Sequence, residues 1–151
     1  MSHIGTSKAT RLASSFFAKY STELLGGAVQ RFKISILDLA IISLVFAEST
    51  RPLREHAFLA EKYGYEDEGL PNEFRPAVSL KFIYATLGLS RETTRRRLER
   101  LVDAGYLIKT DTGYIFPQPA VGRDFSRDFR RRLVGYLEEI VEVANRPRKH
   151  G

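Results

Sequence analysis

The sequence predicts a mainly α-helical chain with one small β-hairpin, and three observations support this fold class. Apolar residues recur with helical spacing in several separate stretches of the 151 residues. Two short helical patterns end at glycines, Gly88 and Gly105, because glycine adopts the left-handed conformation that ends helices at little steric cost. Beyond Gly105, two short runs of β-forming residues flank the turn residues Asp111-Thr112-Gly113, which is typical of a hairpin.

The N-terminal part of the chain predicts two helices. Residues 8–25 are expected to form an amphipathic helix that ends at Gly26-Gly27, since apolar residues recur every four positions. These residues are Leu12, Phe16, Tyr20 and Leu24. Ser35 is expected to cap a second helix that extends to about Ser49, with Asp38 completing a capping box. This helix is apolar on nearly all sides, which favours a central position in the core.

Residues 51–78 form an insert whose composition differs from the rest of the chain. It holds four basic and six acidic side chains, a net charge of −2. One helix is predicted from Pro52 to Tyr63, with Pro52 near its first turn, followed by an acidic loop from Glu66 to Pro71. We expect the insert to be an irregular surface loop rather than a dedicated site, although long inserts in compact domains can be functional.

The next segment, residues 79–117, has the pattern of a winged helix-turn-helix. Ser79 is a good N-cap for a short helix that ends at Gly88, and Ser90 is a good N-cap for a second helix, residues 90–104. Strands are predicted at 106–108 and 114–116, which together form the wing. The residues of the second helix that are expected to face the core are Thr94, Leu98, Leu101 and Val102.

Basic charge is concentrated on this segment. Residues 79–110 hold seven basic and three acidic side chains, a net charge of +4, within a chain whose net charge is +6. Arginine suits both phosphate and the edge of guanine, and a basic excess on a helix-turn-helix is the expected electrostatic pattern for DNA binding. The residues predicted to contact DNA are Ser79, Lys81, Ser90, Arg91, Glu92, Thr93, Arg95, Arg96, Arg97, Arg100, Lys109 and Thr112.

The segment from Ser90 to Arg96, Ser-Arg-Glu-Thr-Thr-Arg-Arg, resembles the start of the recognition helix in the catabolite-activator family of bacterial regulators. The resemblance implies that Arg91, Glu92 and Arg96 read bases, as the matching arginine, glutamate and second arginine do in that family. The whole of residues 79–117 also resembles the winged helices of GntR- and MarR-type regulators. Its wing is shorter than that of MarR-type proteins and lacks their Asp-x-Arg pattern.

A last helix is predicted from Asp124 to Asn145, after a Pro-Gln-Pro linker. Its narrow apolar stripe and charged opposite face are typical of a seam between helices. Pairing with its copy or with the N-terminal helix of another subunit is expected, as in MarR-type regulators, and the alternative is that it folds back on its own domain. The residues predicted to form the dimer interface are Leu12, Phe16, Tyr20, Phe129, Leu133, Leu137 and Ile140.

Several other classes of protein find no support in the sequence. The chain has no cysteine, and His3, His56 and His150 are far apart, so we expect neither a metal site nor a cofactor. It has no glycine-rich phosphate loop and no Gly-x-Ser-x-Gly motif, so we do not expect an enzyme. The apolar run 34–47 is too short to cross a bilayer. The first residues lack the apolar stretch of a secretory signal, which favours the cytoplasm.

These observations predict a single domain and a DNA-binding function. Its parts are an N-terminal helix region (1–33), a winged-helix core (34–117) with the insert 51–78, and a C-terminal helix and tail (118–151). The expected function is sequence-specific binding of double-stranded DNA by a nucleoid-associated prokaryotic homodimer that regulates transcription, with residues 90–104 in the major groove. The alternative is a winged-helix protein-interaction module in a replication or chromosome-maintenance assembly. Binding of a small-molecule effector in an aromatic-lined cleft is also left as an alternative.

Overall fold

The structure is a computed structural model that describes residues 7–66, 68–119 and 126–148. These residues are mainly helical and include one two-stranded antiparallel hairpin, as the sequence predicts. The elements in chain order are α1 (Thr10–Phe32), α2 (Ile36–Ser49), α3 (Arg51–Glu55), α4 (Ala57–Tyr63), a 3₁₀ turn (Asn72–Phe74), α5 (Leu80–Leu87), α6 (Arg91–Asp103), β1 (Ile108–Thr110), β2 (Gly113–Ile115) and α7 (Arg127–Ala144). The predicted helix start at Asp124 and the end of the tail, 149–151, lie outside the described residues.

The chain divides into two compact units, whereas the sequence was interpreted as one domain. Residues 1–33 and 124–151 form the terminal unit, and residues 34–123 form the central unit. In the terminal unit α1 and α7 pack side by side. They run antiparallel, because Arg31 near the end of α1 pairs with Asp128 at the start of α7, at 3.1 Å. Farther along the pair, the ring of Tyr20 stacks on that of Tyr136 with centroids 4.3 Å apart.

Helix α1 is longer than the sequence predicts. The predicted end at Gly26-Gly27 is wrong, since the helix continues to Phe32 and ends at Lys33 with a left-handed backbone at φ 53°. Glycine lowers helix propensity, but packing of an apolar face against a neighbouring helix contributes more to helix stability than propensity does. Here Ala28, which follows the two glycines, is buried. The absence of side chains at Gly26 and Gly27 therefore does not end the helix.

Helix α2 lies in the core of the central unit, where Ile41 and Val45 are fully buried. Its predicted capping box is confirmed: Ser35 Oγ accepts from the Asp38 amide at 3.0 Å, and Asp38 Oδ2 accepts from the Ser35 amide at 3.4 Å. The helix contacts α3, α5, α6 and β2. It is therefore the scaffold on which the helix pair α5–α6 and the hairpin are assembled.

The insert 51–78 differs from its prediction in two ways. The single helix predicted over Pro52–Tyr63 is wrong, because His56 has an extended backbone that separates α3 from α4. The expectation of an irregular surface loop is also wrong for its second half, in which Leu70, Arg75 and Val78 are buried. The Arg75 guanidinium donates to the carbonyl oxygens of Leu70 at 2.8 Å and Phe116 at 2.7 Å. These bonds hold the insert against the segment that follows the hairpin.

The helix pair and the hairpin follow the predicted order. Ser79 Oγ accepts from the Phe82 amide at 3.1 Å, and Ser90 Oγ accepts from the Thr93 amide at 3.2 Å, so both predicted caps are confirmed. Gly88 has φ 67°, as expected of a helix-ending glycine. The strands are shifted from their predicted positions, since β1 begins two residues later and β2 one residue earlier.

The shift of the hairpin has its cause in a distant segment. Val78 and Tyr114 exchange two backbone hydrogen bonds, of 2.8 Å and 2.9 Å, across β2. The backbone at Gly113 comes so close to Val78 that a Cβ there would lie 2.2 Å from the Val78 carbonyl oxygen. Gly113 therefore pairs with Thr110 as part of β2 rather than belonging to the turn, and Asp111 and Thr112 form the loop.

Candidate nucleic-acid interface

Helix α6 presents a polar face to solvent because its apolar residues are used in the core. Thr94 and Leu98 are fully buried, and Leu101 is nearly so. The Thr94 hydroxyl is satisfied by donation to the Ser90 carbonyl oxygen at 2.9 Å. At 3.6 residues per turn, the face opposite these residues carries Glu92, Arg96 and Arg100, and all three are exposed.

Arg95 is engaged by two carboxylates of its own helix. Its Nε and Nη2 donate to Glu92 at 3.1 Å and 2.6 Å, and its Nη1 donates to Glu99 at 2.5 Å. Arg96 Nε also donates to Glu92, at 3.1 Å. Hydrogen bonds from Arg95 and then Arg96 lower the pKa of Glu92 to about 2. Bonding to Glu92 raises the pKa of Arg95, and the charge of Glu99 adds to this. Arg95 therefore carries a charge that its neighbours already compensate.

Other predicted contacts are basic side chains without such compensation. Lys81 on α5, Arg91 and Arg100 on α6 and Lys109 on β1 are exposed. Among the described residues, none of these four makes an ion pair. These side chains come from three separate elements of the central unit. They are available to an anionic partner without the loss of an existing ion pair.

Arg97 makes a contact within the central unit that the sequence did not predict. Its Nη1 donates to Asp38 Oδ1 and to Ser35 Oγ, both at 3.1 Å, and these acceptors belong to the capping box of α2. The Arg97 side chain is 24% exposed and that of Asp38 is 18% exposed. Arg97 therefore lies on the flank of α6 that faces α2. The charge of Arg97 joins two helices of the core, and its contact with DNA stays a prediction.

The remaining predicted contacts are small polar residues around the helix starts and the hairpin. The hydroxyls of Ser79 and Ser90 serve as helix caps, and Ser90 also donates to Thr93 Oγ1 at 2.9 Å. Thr112 lies exposed in the two-residue turn between the strands. Between α6 and the hairpin there is an open groove of about 290 Å³, lined by Glu99, Val102, Asp103, Lys109 and Tyr114. The hairpin thus lies beside the second half of α6.

The residues predicted for dimerisation separate into two groups. Tyr20 is 8% exposed and stacks on Tyr136 of the same chain. Phe16, Phe129 and Ile140 are also partly buried in the terminal unit. In contrast Leu12 is 44%, Leu133 36% and Leu137 46% exposed. The apolar surface of α7 is consequently wider than α1 covers, and the exposed part continues to two further residues, Val134 and Val141.

Two residues that hold the hairpin region of the central unit were missed by sequence reasoning. Val78 bridges to the hairpin and Arg75 bonds to the segment that follows it. An isolated valine and an isolated arginine in a Pro-containing insert carry no local pattern that would identify these contacts. The Arg95 network, in contrast, could have been found, because glutamates three residues before and four residues after an arginine share its helical face.

Two other features are absent from the described ranges. Residues 7–66, 68–119 and 126–148 contain no cluster of three or more histidine or acidic side chains that could hold a metal ion. None of the helices in these ranges is both long enough and apolar enough to span a bilayer. Comparison of the chain with protein-family models, with curated proteins and with solved structures gave no match.

Proposed function

We propose that this chain binds double-stranded DNA in a sequence-specific way and regulates transcription in a prokaryotic cytoplasm. In this proposal the central unit is a winged helix-turn-helix: α2, α5 and α6 are its three helices, and β1–β2 is its wing. Helix α6 enters the major groove, and the wing lies over the flanking backbone. The observation that carries the proposal is the set of exposed arginines on α6, Arg91, Arg96 and Arg100. The opposite face of the helix is fixed in the core through Thr94, Leu98 and Leu101.

The exposed residues have distinct roles in this proposal. Arg96 and Arg91 read base edges, because a guanidinium can donate two hydrogen bonds to guanine. Glu92, an exposed carboxylate on the same face, accepts from a cytosine amine. Arg100, Lys81 and Lys109 hold phosphates, which fixes the position of α6 without reading sequence. The resemblance of Ser90–Arg96 to the catabolite-activator recognition helix supports the same assignment of base readers.

We further propose that two chains act together through the terminal unit. The support is the apolar surface of α7 that α1 leaves exposed, which includes Leu133 and Leu137. Burying such a surface against a second copy removes it from water at about 25 cal/mol per Å². A two-fold dimer would place two α6 helices about 34 Å apart on a near-palindromic site.

Selection from random duplex DNA, followed by titration of the preferred site, tests the proposal. Because binding releases counterions, log K should fall with log salt by about 0.9 for each phosphate neutralised. Arg96→Ala should cost about 1–3 kcal/mol on the preferred site and flatten the preference at one base pair. The matched variant Lys109→Ala should weaken binding to all duplexes alike.

Two outcomes of these measurements would contradict the proposal. Equal losses for both variants on preferred and random DNA would remove the base-reading assignment of Arg96. No binding to any duplex, or binding that does not depend on salt, would favour the protein-interaction module instead. In that case the mixed acidic and basic surface of α6 would meet a protein partner.

A further inference from the structure

Four arginines lie on the solvent-facing surface of α6. Carboxylates of the same helix partly compensate the charges of two of them, and the other two have no such partner among the described residues. Arg95 bonds to Glu92 and Glu99, and Arg96 shares Glu92, whereas Arg91 and Arg100 make no ion pair among the described residues. The carboxylates lie seven residues apart on α6, on either side of Arg95 along the helix axis. Arg95 therefore lies between two carboxylates with all three of its donor nitrogens in use.

This arrangement changes what Arg95 can contribute to DNA binding. A lysine or arginine without a partner gains a phosphate oxygen and loses only water. Arg95 must instead exchange two carboxylates for the phosphate, and the vacated Glu99 then lies close to the negative backbone. Among the described residues Glu99 pairs with Arg95 and with no second arginine. Its charge is consequently left uncompensated when Arg95 turns away.

We propose that Glu99, together with Glu92, restrains Arg95 and thereby weakens binding to DNA of arbitrary sequence. This inference rests on the proposed DNA-binding function. On a preferred site, a cytosine amine supplies a donor to Glu92 when Arg95 turns away from it, and this part of the exchange is then compensated. On random DNA no such donor is in place, so nothing offsets the bonds that Arg95 loses to its two carboxylates. Glu99 is in this way a specificity-determining residue that acts on Arg95 and need not touch a base itself.

The test is a double-mutant cycle on Glu99 and Arg95 in the full-length chain. Glu99→Gln keeps the shape of the side chain and removes its charge. The four proteins are the parent, E99Q, R95A and the double variant R95A/E99Q. Affinity for the preferred duplex and for a random duplex is measured by fluorescence anisotropy over a range of salt. Asp103→Asn is the matched control, because Asp103 is an exposed carboxylate on the same helix that makes no ion pair among the described residues.

E99Q is expected to bind the random duplex about 1.4- to 2.3-fold more tightly, from the size of exposed ion pairs on a helix. The affinity of E99Q for the preferred duplex should rise less. The ratio of the affinity for the preferred duplex to that for the random duplex should therefore fall. The salt slope on random DNA should steepen by up to about 1, since Arg95 then gives up only one carboxylate, Glu92, to become a phosphate ligand. In the R95A background the same Glu99 change should have no effect beyond that of D103N.

Three results would overturn the inference. An E99Q effect equal to that of D103N, or one that persists in the R95A background, would show a general charge effect rather than restraint of Arg95. Unchanged binding of E99Q to both duplexes would show that the pair does not influence binding. If the parent and every variant fail to bind any duplex, the proposed function itself fails, and the inference falls with it. Thermal melting of each variant separates these results from a loss of fold.

Discussion

Replacing Arg97 by alanine removes a guanidinium that joins α6 to the capping box of α2. Two hydrogen bonds of 3.1 Å are lost, one to the Asp38 carboxylate and one to the Ser35 hydroxyl. Both ionised side chains are more than three-quarters buried, so water replaces the lost bonds only in part. Asp38 keeps its bond to the Ser35 amide at 3.4 Å, which limits the damage to the cap.

The expected loss in free energy of unfolding is about 1.5–3 kcal/mol, the range for hydrogen bonds that involve charged groups. One feature places the value toward the lower end. The buried Nε of Arg97 has no hydrogen-bond partner in the described residues, and its removal takes away an unsatisfied group. For a unit of roughly this size, each kcal/mol lowers Tm by about 4–8 °C. A decrease of about 10 °C is therefore expected.

Urea denaturation of Arg97→Ala and of Arg100→Ala measures the difference. Arg100 is exposed on the same helix, so its replacement should change stability by less than about 0.5 kcal/mol. Below its melting temperature, the Arg97 variant should keep the sequence preference of the parent. An Arg97 variant with parental stability but without sequence preference would refute this reasoning and favour a direct contact of Arg97 with DNA.

Three further predictions concern the hairpin, the terminal helices and pH. Gly113→Ala should cost about 1–3 kcal/mol in urea denaturation, because its Cβ would lie 2.2 Å from the Val78 carbonyl oxygen. Leu137→Asp puts a carboxylate on the exposed apolar surface of α7, so sedimentation should show a dissociated dimer while helical circular dichroism is retained. The pKa of Tyr20 is raised to about 12 by a hydrogen bond to Glu139 and by burial. The stability that the neutral phenol contributes should be complete below pH 10 and lost as the pH rises through 12. Absorbance of the phenolate follows this titration.

Controls or contradicting outcomes accompany each of these predictions. Gly26→Ala should stabilise the chain, since no atom lies within 4 Å of a Cβ there and alanine favours the helix by about 0.5–1 kcal/mol. A parental stability for the Gly113 variant would remove the steric argument. A parent that is monomeric at micromolar concentration would contradict the dimer. Tyr20→Phe should lose the step in stability between pH 10 and 12, and a Tyr20 that titrates near pH 10 would disprove the raised pKa.

Features of the fold that depend on neighbouring residues could be predicted from the sequence. The caps at Ser35, Ser79 and Ser90 and the left-handed Gly88 lie where they were expected, since each is decided within four residues. The buried face of α6 followed from helical periodicity in the same way. Each of these features is fixed by groups that are adjacent in sequence.

Features that depend on distant residues were predicted wrongly or not at all. Helix α1 continues through its glycines because of contacts in the terminal unit, about 100 residues away along the chain. Arg97 carries the same charge as Arg96, and only its partner Asp38, 59 residues earlier, distinguishes a core contact from a surface contact. The register of the hairpin likewise depends on Val78. A periodicity identifies the face of a helix but not what lies against it.

The segment between α2 and α5 is closed at its base, and this has a practical consequence. Ser49 Oγ donates to the Pro76 carbonyl oxygen at 3.4 Å and accepts from the Phe116 amide at 3.0 Å, so the two ends of the segment meet. A loop whose ends are fixed tolerates added length, because each doubling costs only about 0.6 kcal/mol in closure entropy. Tyr65 follows α4 in the chain and is exposed. A fluorophore or a short peptide can therefore be introduced there, and the start of α5 at Ser79 keeps its place.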